Sequence, residues 1–357
     1  MRHILAILPA LALLAACAPT IRTPAQAPVA AARDTTCAPD FDAMESAVRA
    51  GYPGLPGMSP ARRAEFEALT QVVRGEALRA TDPVACMATL QRWTAWFGDN
   101  HMQLGESRPA QPASATPGDD RPSLRIVDDS TAVLRLPSFG RDHKASVDSL
   151  VAAHRAWLLA TPFLVVDVRG NGGGWTAVYD SVLPFLYTNP IRVDGMDIYA
   201  APANLALVRE MIASGRGPAA MLEQARAVAA RMEANPGGFV TFTEDREIRL
   251  DTVYPNPRAV ALLVDRRCAS SCEQFILDAR QSRKVTVVGT GSTRGMLDYG
   301  NLRRVPLPSE QRRFFIPTAR SRRLPATPLD RTGIAPAVLV PPGTDPLAFA
   351  VAHLRTR

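Results

Sequence analysis

The chain has 357 residues, 46% of them hydrophobic and 21% charged, which suits one large domain, or a main domain with a smaller partner, around a sizeable core. Its net charge of +7 comes almost wholly from arginine, because Lys144 and Lys284 are the only lysines. The arginines are scattered, with one dense run at "ARSRRL" near Arg320, and no nucleic-acid-binding motif accompanies them, which argues against nucleic acid as a partner.

The chain opens with "MRHILAILPALALLAAC": a basic start, an apolar run too short to span a membrane, and small residues before Cys17. This is the pattern of a secretory signal over residues 1–17. The end of the run, "LAAC", resembles the bacterial lipobox, in which the cysteine becomes the lipidated N-terminus of the mature chain. The plainer alternative is a cleaved signal that happens to contain a cysteine. The expectation is therefore a lipoprotein of the bacterial cell envelope, held to the membrane by a lipid on Cys17. Ala18, by analogy with enterobacterial sorting, fits the outer membrane and a periplasm-facing protein. Residues 18–36, rich in Ala, Pro and Thr, read as a flexible tether.

Export permits disulfides. Beyond Cys17 there are Cys37, Cys86, Cys268 and Cys272, which allow three pairings. Cys37–Cys86 with Cys268–Cys272 is the most local of them. A zinc site would want a CxxC or HxxxH cluster, and no histidine lies near Cys268 in sequence, so no metal and no other cofactor is expected.

Residues 37–105 read as a small N-terminal helical domain. "FDAMESAVRAG" has helical apolar spacing, Ser59-Pro60 places a cap and a first-position proline before "ARRAEFEALTQVVRGEAL", and "ACMATLQRWTAWFG" stops at Gly98. The polar Pro/Ala/Ser stretch within 106–121 reads as a linker. From 122 to 357 the pattern becomes α/β. "AVLRLP" is a strand, "ASVDSLVAAHRAWLLA" a helix, and "FLVVDV" a strand buried on both faces; a helix follows near "AVYDSVLPFLY". "AVALLVD", "CEQFILDARQS" and "KVTVVG" then read as strand, helix and strand, so the sheet should be largely parallel with right-handed crossovers. Residues 203–234 look like a helical insertion.

Two turns sit where ligands bind such sheets, at the carboxyl ends of buried strands. In "RCASSCEQF", Ser270 opens a helix, and the N–H of Ser271 can face a developing oxyanion. The same residues fit a capping box, with Ser270 as N-cap and Glu273 as its partner, so the stretch alone does not choose between nucleophile and cap. "DVRGNGGG", from Asp167 to Gly174, lacks the spacing of a dinucleotide loop, but its glycines let backbone approach a ligand. A serine nucleophile needs a base. His154 falls within a predicted amphipathic helix, His353 near the C-terminus and His143 at a helix start, whereas His101 lies in the loop "GDNH" between the two predicted domains. Lys144 and Lys284 are poorly placed for a Ser/Lys dyad.

"VVDVRGNGGG" followed roughly a hundred residues later by "LLVDRRCASSCEQFILDARQSRKVTVVGT" resembles the carboxy-terminal processing (tail-specific) serine peptidase family. The resemblance extends over most of residues 37–342 and implies a mixed or mostly parallel α/β core of the ClpP/crotonase-like type. It also implies a peptide or protein substrate, cut through an acyl-enzyme on Ser270, with backbone N–H groups of Gly172, Gly173 and Ser271 as the oxyanion hole. The sequence departs from the dyad enzymes: Arg294 or Gly295 stands at the lysine's place in "GTGSTRGMLDYGN", an arginine cannot act as base, and no peptide-binding PDZ domain is evident. It looks more like the tricorn-core branch, which implies His101 as base and Asp330, in "LDRTGIAP", as the residue that orients it, with Asp298 as competitor. Asn100 and Ala337 depart from that branch and leave open a member that binds peptides without cutting them. The sequence assigns no oligomeric state.

Overall fold

The structure is a computed structural model that describes residues 35–107 and 121–356. The expected signal segment, Cys17, most of the expected tether and most of the expected linker lie outside the described residues. Among the described residues, no helix is long and apolar enough to cross a membrane.

The first three helices form where their caps place them: α1 (Cys37–Gly51), α2 (Pro60–Arg79) and α3 (Pro83–Phe97). Ser59 Oγ accepts from the Arg62 N–H, Asp82 accepts from Val84 and Ala85, and Gly98 ends α3 in the left-handed region at φ 67°. Their inward faces bury Phe41, Phe66, Trp93 and Phe97 in edge-on and tilted contacts, and Cys37 is bonded to Cys86 between α1 and α3.

In chain order there follow β1 (Gln103–Glu106), β2 (Ser123–Asp128), β3 (Thr131–Arg135), α4 (Lys144–Ala153), α5 (Arg155–Ala160), β4 (Phe163–Asp167), α6 (Leu183–Leu186), β5 (Ile191–Val193) and β6 (Met196–Tyr199). Next come α7 (Pro202–Ser214), α8 (Ala219–Ala234), β7 (Phe239–Thr243), β8 (Arg246–Ile248), β9 (Ala259–Val264) and α9 (Ser271–Ala279). The chain closes with β10 (Val285–Gly289), β11 (Tyr299–Val305), β12 (Arg312–Ser321), β13 (Val338–Leu339) and α10 (Pro346–Arg355).

The central sheet has six strands in the order β13-β10-β9-β4-β3-β2, parallel throughout except for β2 on β3. Every residue of β4 and of β9 is buried, as their uninterrupted apolar runs require. Alternate residues face opposite cores. Leu164, Val166, Leu262 and Val264 meet α4, α5 and α9, while Val165, Ala261 and Leu263 meet α10.

Three features differ from the sequence reading. The helix expected over "ASVDSLVAAHRAWLLA" breaks at His154 into α4 and α5. The helix expected near "AVYDSVLPFLY" is a 3-10 turn, Thr176–Tyr179, followed by the four-residue α6, because Pro184 has no N–H to continue an α-helical ladder. A second, five-stranded antiparallel sheet, β1-β12-β6-β7 with β11 on β12, was not anticipated. It receives α1 to α3 on Val305, Leu307, Phe314 and Ile316. The predicted insertion at 203–234 is α7 and α8, which connect the neighbouring strands β6 and β7.

Candidate active site

Ser270 stands between β9 and α9, at the carboxyl end of the parallel strands. Its backbone is forced to φ 57°, ψ −121°, a region non-glycine residues rarely occupy. Three contacts hold it there. Glu273 closes a capping box: its carboxylate accepts the Ser270 N–H at 3.1 Å, and its own N–H faces the Ser270 side chain. A disulfide joins Cys268 to Cys272 across the turn, with both cysteines fully buried. The Ala269 N–H donates to the Asn171 carbonyl at 3.1 Å.

The Gly-rich loop after β4 lies directly against this turn. A side chain on Gly173 (φ 95°) would meet Ala269 O at 2.6 Å and Ser270 Cβ at 2.9 Å, so only glycine fits. Asn171, fully buried, ties the loop down: its Nδ2 donates to Leu136 O, and its Oδ1 accepts the Gly173 N–H at 2.9 Å. That bond alters the expected oxyanion hole, since the Gly173 N–H is already engaged. The N–H groups of Gly172 and Ser271 meet no protein acceptor among the described residues. The asparagine stands in the quoted "DVRGNGGG", but nothing in the sequence reading gave it this task.

His101 comes from the turn between α3 and β1. Its Nε2 lies 3.3 Å from Ser270 Oγ, although 169 residues separate the two. The residue is 6% exposed. Burial, helped by the positive charge of Arg294, lowers its pKa to about 4, so it is neutral at pH 7. The Tyr299 backbone favours the charged ring, yet Nδ1 completes no hydrogen bond. The turn itself is pinned by Asp99 Oδ1, which accepts the His101 N–H at 2.8 Å, and by Asn100, whose Nδ2 donates to Gly295 O at 2.7 Å. Asn100, a departure from the family pattern, thus ties the histidine turn to the segment after Thr293.

The carboxyl groups divide sharply. Asp298 is taken up by the N–H groups of Leu329 and Asp330 and by Arg323. Asp330 accepts from Leu297 and Asp298 on Oδ1, but its buried Oδ2 has no partner, and it makes no hydrogen bond to His101. Burial, reinforced by repulsion from Asp99, raises its pKa to about 8. Burial likewise raises Asp99 to about 6; Tyr52 favours its charged form, but Asp99 Oδ2 completes no hydrogen bond.

The other candidate bases lie apart from Ser270. Lys284 precedes the amino end of β10, whereas Ser270 follows the carboxyl end of its parallel neighbour β9, about 16 Å away along the strands. Its pKa is lowered to about 8 by burial, and Nζ donates to Tyr254 O. Lys144 pairs with Asp148. His143 begins α4, His154 lies at the α4–α5 break, and His353 is in α10.

The arrangement provides a hydroxyl at a strained turn, a neutral imidazole on it, the open N–H of Ser271 next in the chain, and the open N–H of Gly172 in the adjoining loop. Among solved structures, it is similar in fold to a protein from Parabacteroides merdae provisionally assigned as a peptidase, at 16% identity, 90% coverage of this chain, 97% of that chain and a TM-score of 0.55. A lipoprotein from Streptococcus agalactiae matches over the same shares at 14% identity with a TM-score of 0.49. A search of curated proteins finds no match. The model of peptidase family S41 matches residues 130–340, a span that holds the Gly-rich loop, Ser270 and Asp330 but not His101. With more than half of its length so matched, the chain belongs to peptidase family S41.

Proposed function

We propose that the protein is a serine endopeptidase of the bacterial cell envelope, anchored by a lipid on Cys17. The observation that carries this reading is the 3.3 Å approach of His101 Nε2 to the hydroxyl of Ser270 on its strained turn. Ser270 Oγ attacks a peptide carbonyl while His101 takes its proton. The oxyanion that forms accepts hydrogen bonds from the Ser271 and Gly172 N–H groups. His101 then gives the proton to the leaving amine, and water hydrolyses the acyl-enzyme by the same route.

Asp330 is assigned the orienting role. What supports it is that its Oδ2 and His101 Nδ1 are both buried without partners, whereas Asp298 is fully engaged. To accept the Nδ1 proton Asp330 must be ionised, so activity should rise as pH climbs toward about 8.

The test is fluorophosphonate labelling of the mature, delipidated protein beside Ser270→Ala and His101→Ala. Labelling that requires both residues supports a Ser/His hydrolase, and cleavage of a casein substrate then separates a peptidase from an esterase. Labelling that survives His101→Ala overturns the base assignment. No labelling of the folded wild type favours the second reading, a peptide-binding lipoprotein without turnover. The lack of a hydrogen bond between Asp330 and His101 is the observation on that side.

A further inference from the structure

The hairpin of α7 and α8 does more than connect β6 to β7. Its apolar residues recur at helical spacing: Val208 and Met211 on α7, and Met221, Ala225 and Val228 on α8. Val208, Ala225 and Val228 are buried in one cluster with Ile198 and Val240 of the antiparallel sheet. Met221 is not, and stays 37% exposed. Between the hairpin, Phe242 and Leu302 lies a pocket of about 660 Å³, inside the range of roughly 300–1,000 Å³ typical of ligand sites. Exposed apolar side chains collect around it. Leu302, on its wall, is 40% exposed, and so is Trp175, whose ring centroid lies 5.0 Å from the guanidinium of another wall residue, Arg141. A single exposed apolar residue needs no explanation, but several gathered on one pocket mark a binding surface.

The pocket is continuous with both halves of the site. On one side, the segment that carries Arg141 is strapped to the Gly-rich loop: the Phe139 N–H donates to Gly173 O, and the Trp175 N–H donates to Phe139 O. Gly173 lies against Ser270, and Trp175 is two residues further on, roughly 7 Å away at extended spacing. With the 5.0 Å from the Trp175 ring to Arg141, the near wall stands on the order of 10 Å from the nucleophile. On the other side, Leu302 belongs to β11, whose first residue, Tyr299, acts on His101 through its backbone.

We propose that this pocket is a remote subsite of the substrate cleft, which holds a large apolar side chain of the peptide roughly three to five residues from the bond that is cut. The proposal rests on the peptidase reading and names the substrates it favours. The spacing follows from an extended peptide, which advances about 3.3 Å per residue and so covers about 10–15 Å in that number of residues. The apolar walls set the class of side chain, and the two methionines, flexible and polarizable, adapt them to aromatic and branched aliphatic groups alike. Continuity with the nucleophile loop and with the strand beside His101 makes the occupant part of the substrate.

The experiment uses a series of Ser/Gly/Ala peptides in which one Phe is walked from position to position, with Ser in its place as control. Mass spectrometry locates the cut. The expected result is a gain in kcat/KM of about tenfold or more when Phe lies at the remote position, carried by KM with kcat little changed, and lost in Met221→Asp/Leu302→Asp. Fluorescence anisotropy of the same peptides on the folded Ser270→Ala protein should show the same gain in affinity, with no turnover involved. Cleavage indifferent to Phe overturns the subsite, as does a gain confined to the residues flanking the cut or one that persists in the double variant. Occupation by dodecanoic acid, or self-association abolished in the double variant, with no peptide preference in either case, overturns it in favour of a lipid or a second copy. Peptides bound with the Phe preference yet left uncut by the wild type would sink the peptidase reading and leave the pocket's preference standing.

Discussion

Two buried carboxyl groups serve the two halves of the site in opposite ways. Glu273, beneath Ser270, is fully buried and accepts from Ser270, Thr293, Gly295 and Met296. Asp330, on the histidine's side, accepts two N–H groups on one oxygen and leaves the other bare. Burial costs the first little because each lone-pair direction is answered, and it costs the second its charge at neutral pH. Ser270 is thus locked in advance, while His101 is held in a buried pocket in which its Nδ1 completes no hydrogen bond.

The sharpest way to break this contrast is Glu273→Ala, which strands four donors, three of them buried. Unfolding in urea should show a loss of about 3–5 kcal/mol. A loss below about 1 kcal/mol would mean that water replaces the carboxylate and that the lock is not built as described.

Asp330→Asn should lower kcat/KM roughly 10²- to 10³-fold with little loss of stability, since the change removes only the ability to take the Nδ1 proton. Equal activity in wild type and variant would strip Asp330 of the orienting role.

Smaller effects lie in the pH dependence. A carboxyl whose folded pKa is raised to about 8 gives stability that is complete below about pH 4 and declines as pH rises to about 8. Thermal melts from pH 4 to 8 should therefore diverge between wild type and Asp330→Asn, the variant losing less as pH rises. His101 works in the other direction. Lowered to about 4, it contributes stability above about pH 6.5 that is lost as pH falls toward 4. An inflection in kcat/KM near pH 6.5 would show that the imidazole is not desolvated.

The smallest change expected is in stability without the disulfide at the nucleophile. Cys268→Ala/Cys272→Ala opens a loop of sequence separation 4, for which the chain-entropy estimate is about 2 kcal/mol. Opening Cys37–Cys86, at separation 49, should cost about 4 kcal/mol in the same urea titration.

Much of the central sheet was legible because β4, β9 and β10 are buried on both faces and leave unbroken apolar runs. The helices α1 to α3 were legible through Ser59-Pro60 and Gly98. The antiparallel sheet was not, because β11 and β12 carry Arg303, Arg304, Arg313 and Pro317 among their apolar residues and show no plain alternation. At the site, Ser270 and His101 were singled out by their turns and by the family resemblance, and the structure sets them 3.3 Å apart. The engagement of the Gly173 N–H by Asn171, the second task of Glu273 and the tie made by Asn100 depend on contacts between distant segments, and no local pattern records them.

The pairing of β1 with β12 also bears on when the protein becomes competent. Gln103, two residues after the histidine, is matched to Phe315, and Asn100 is bonded to Gly295. The imidazole is therefore seated only by chain made some two hundred residues later. Contacts of such long range form late and slowly in folding. A nascent chain emerging N-terminus first carries its histidine unseated through most of synthesis, so the approach of His101 to Ser270 is completed only when the fold is nearly complete.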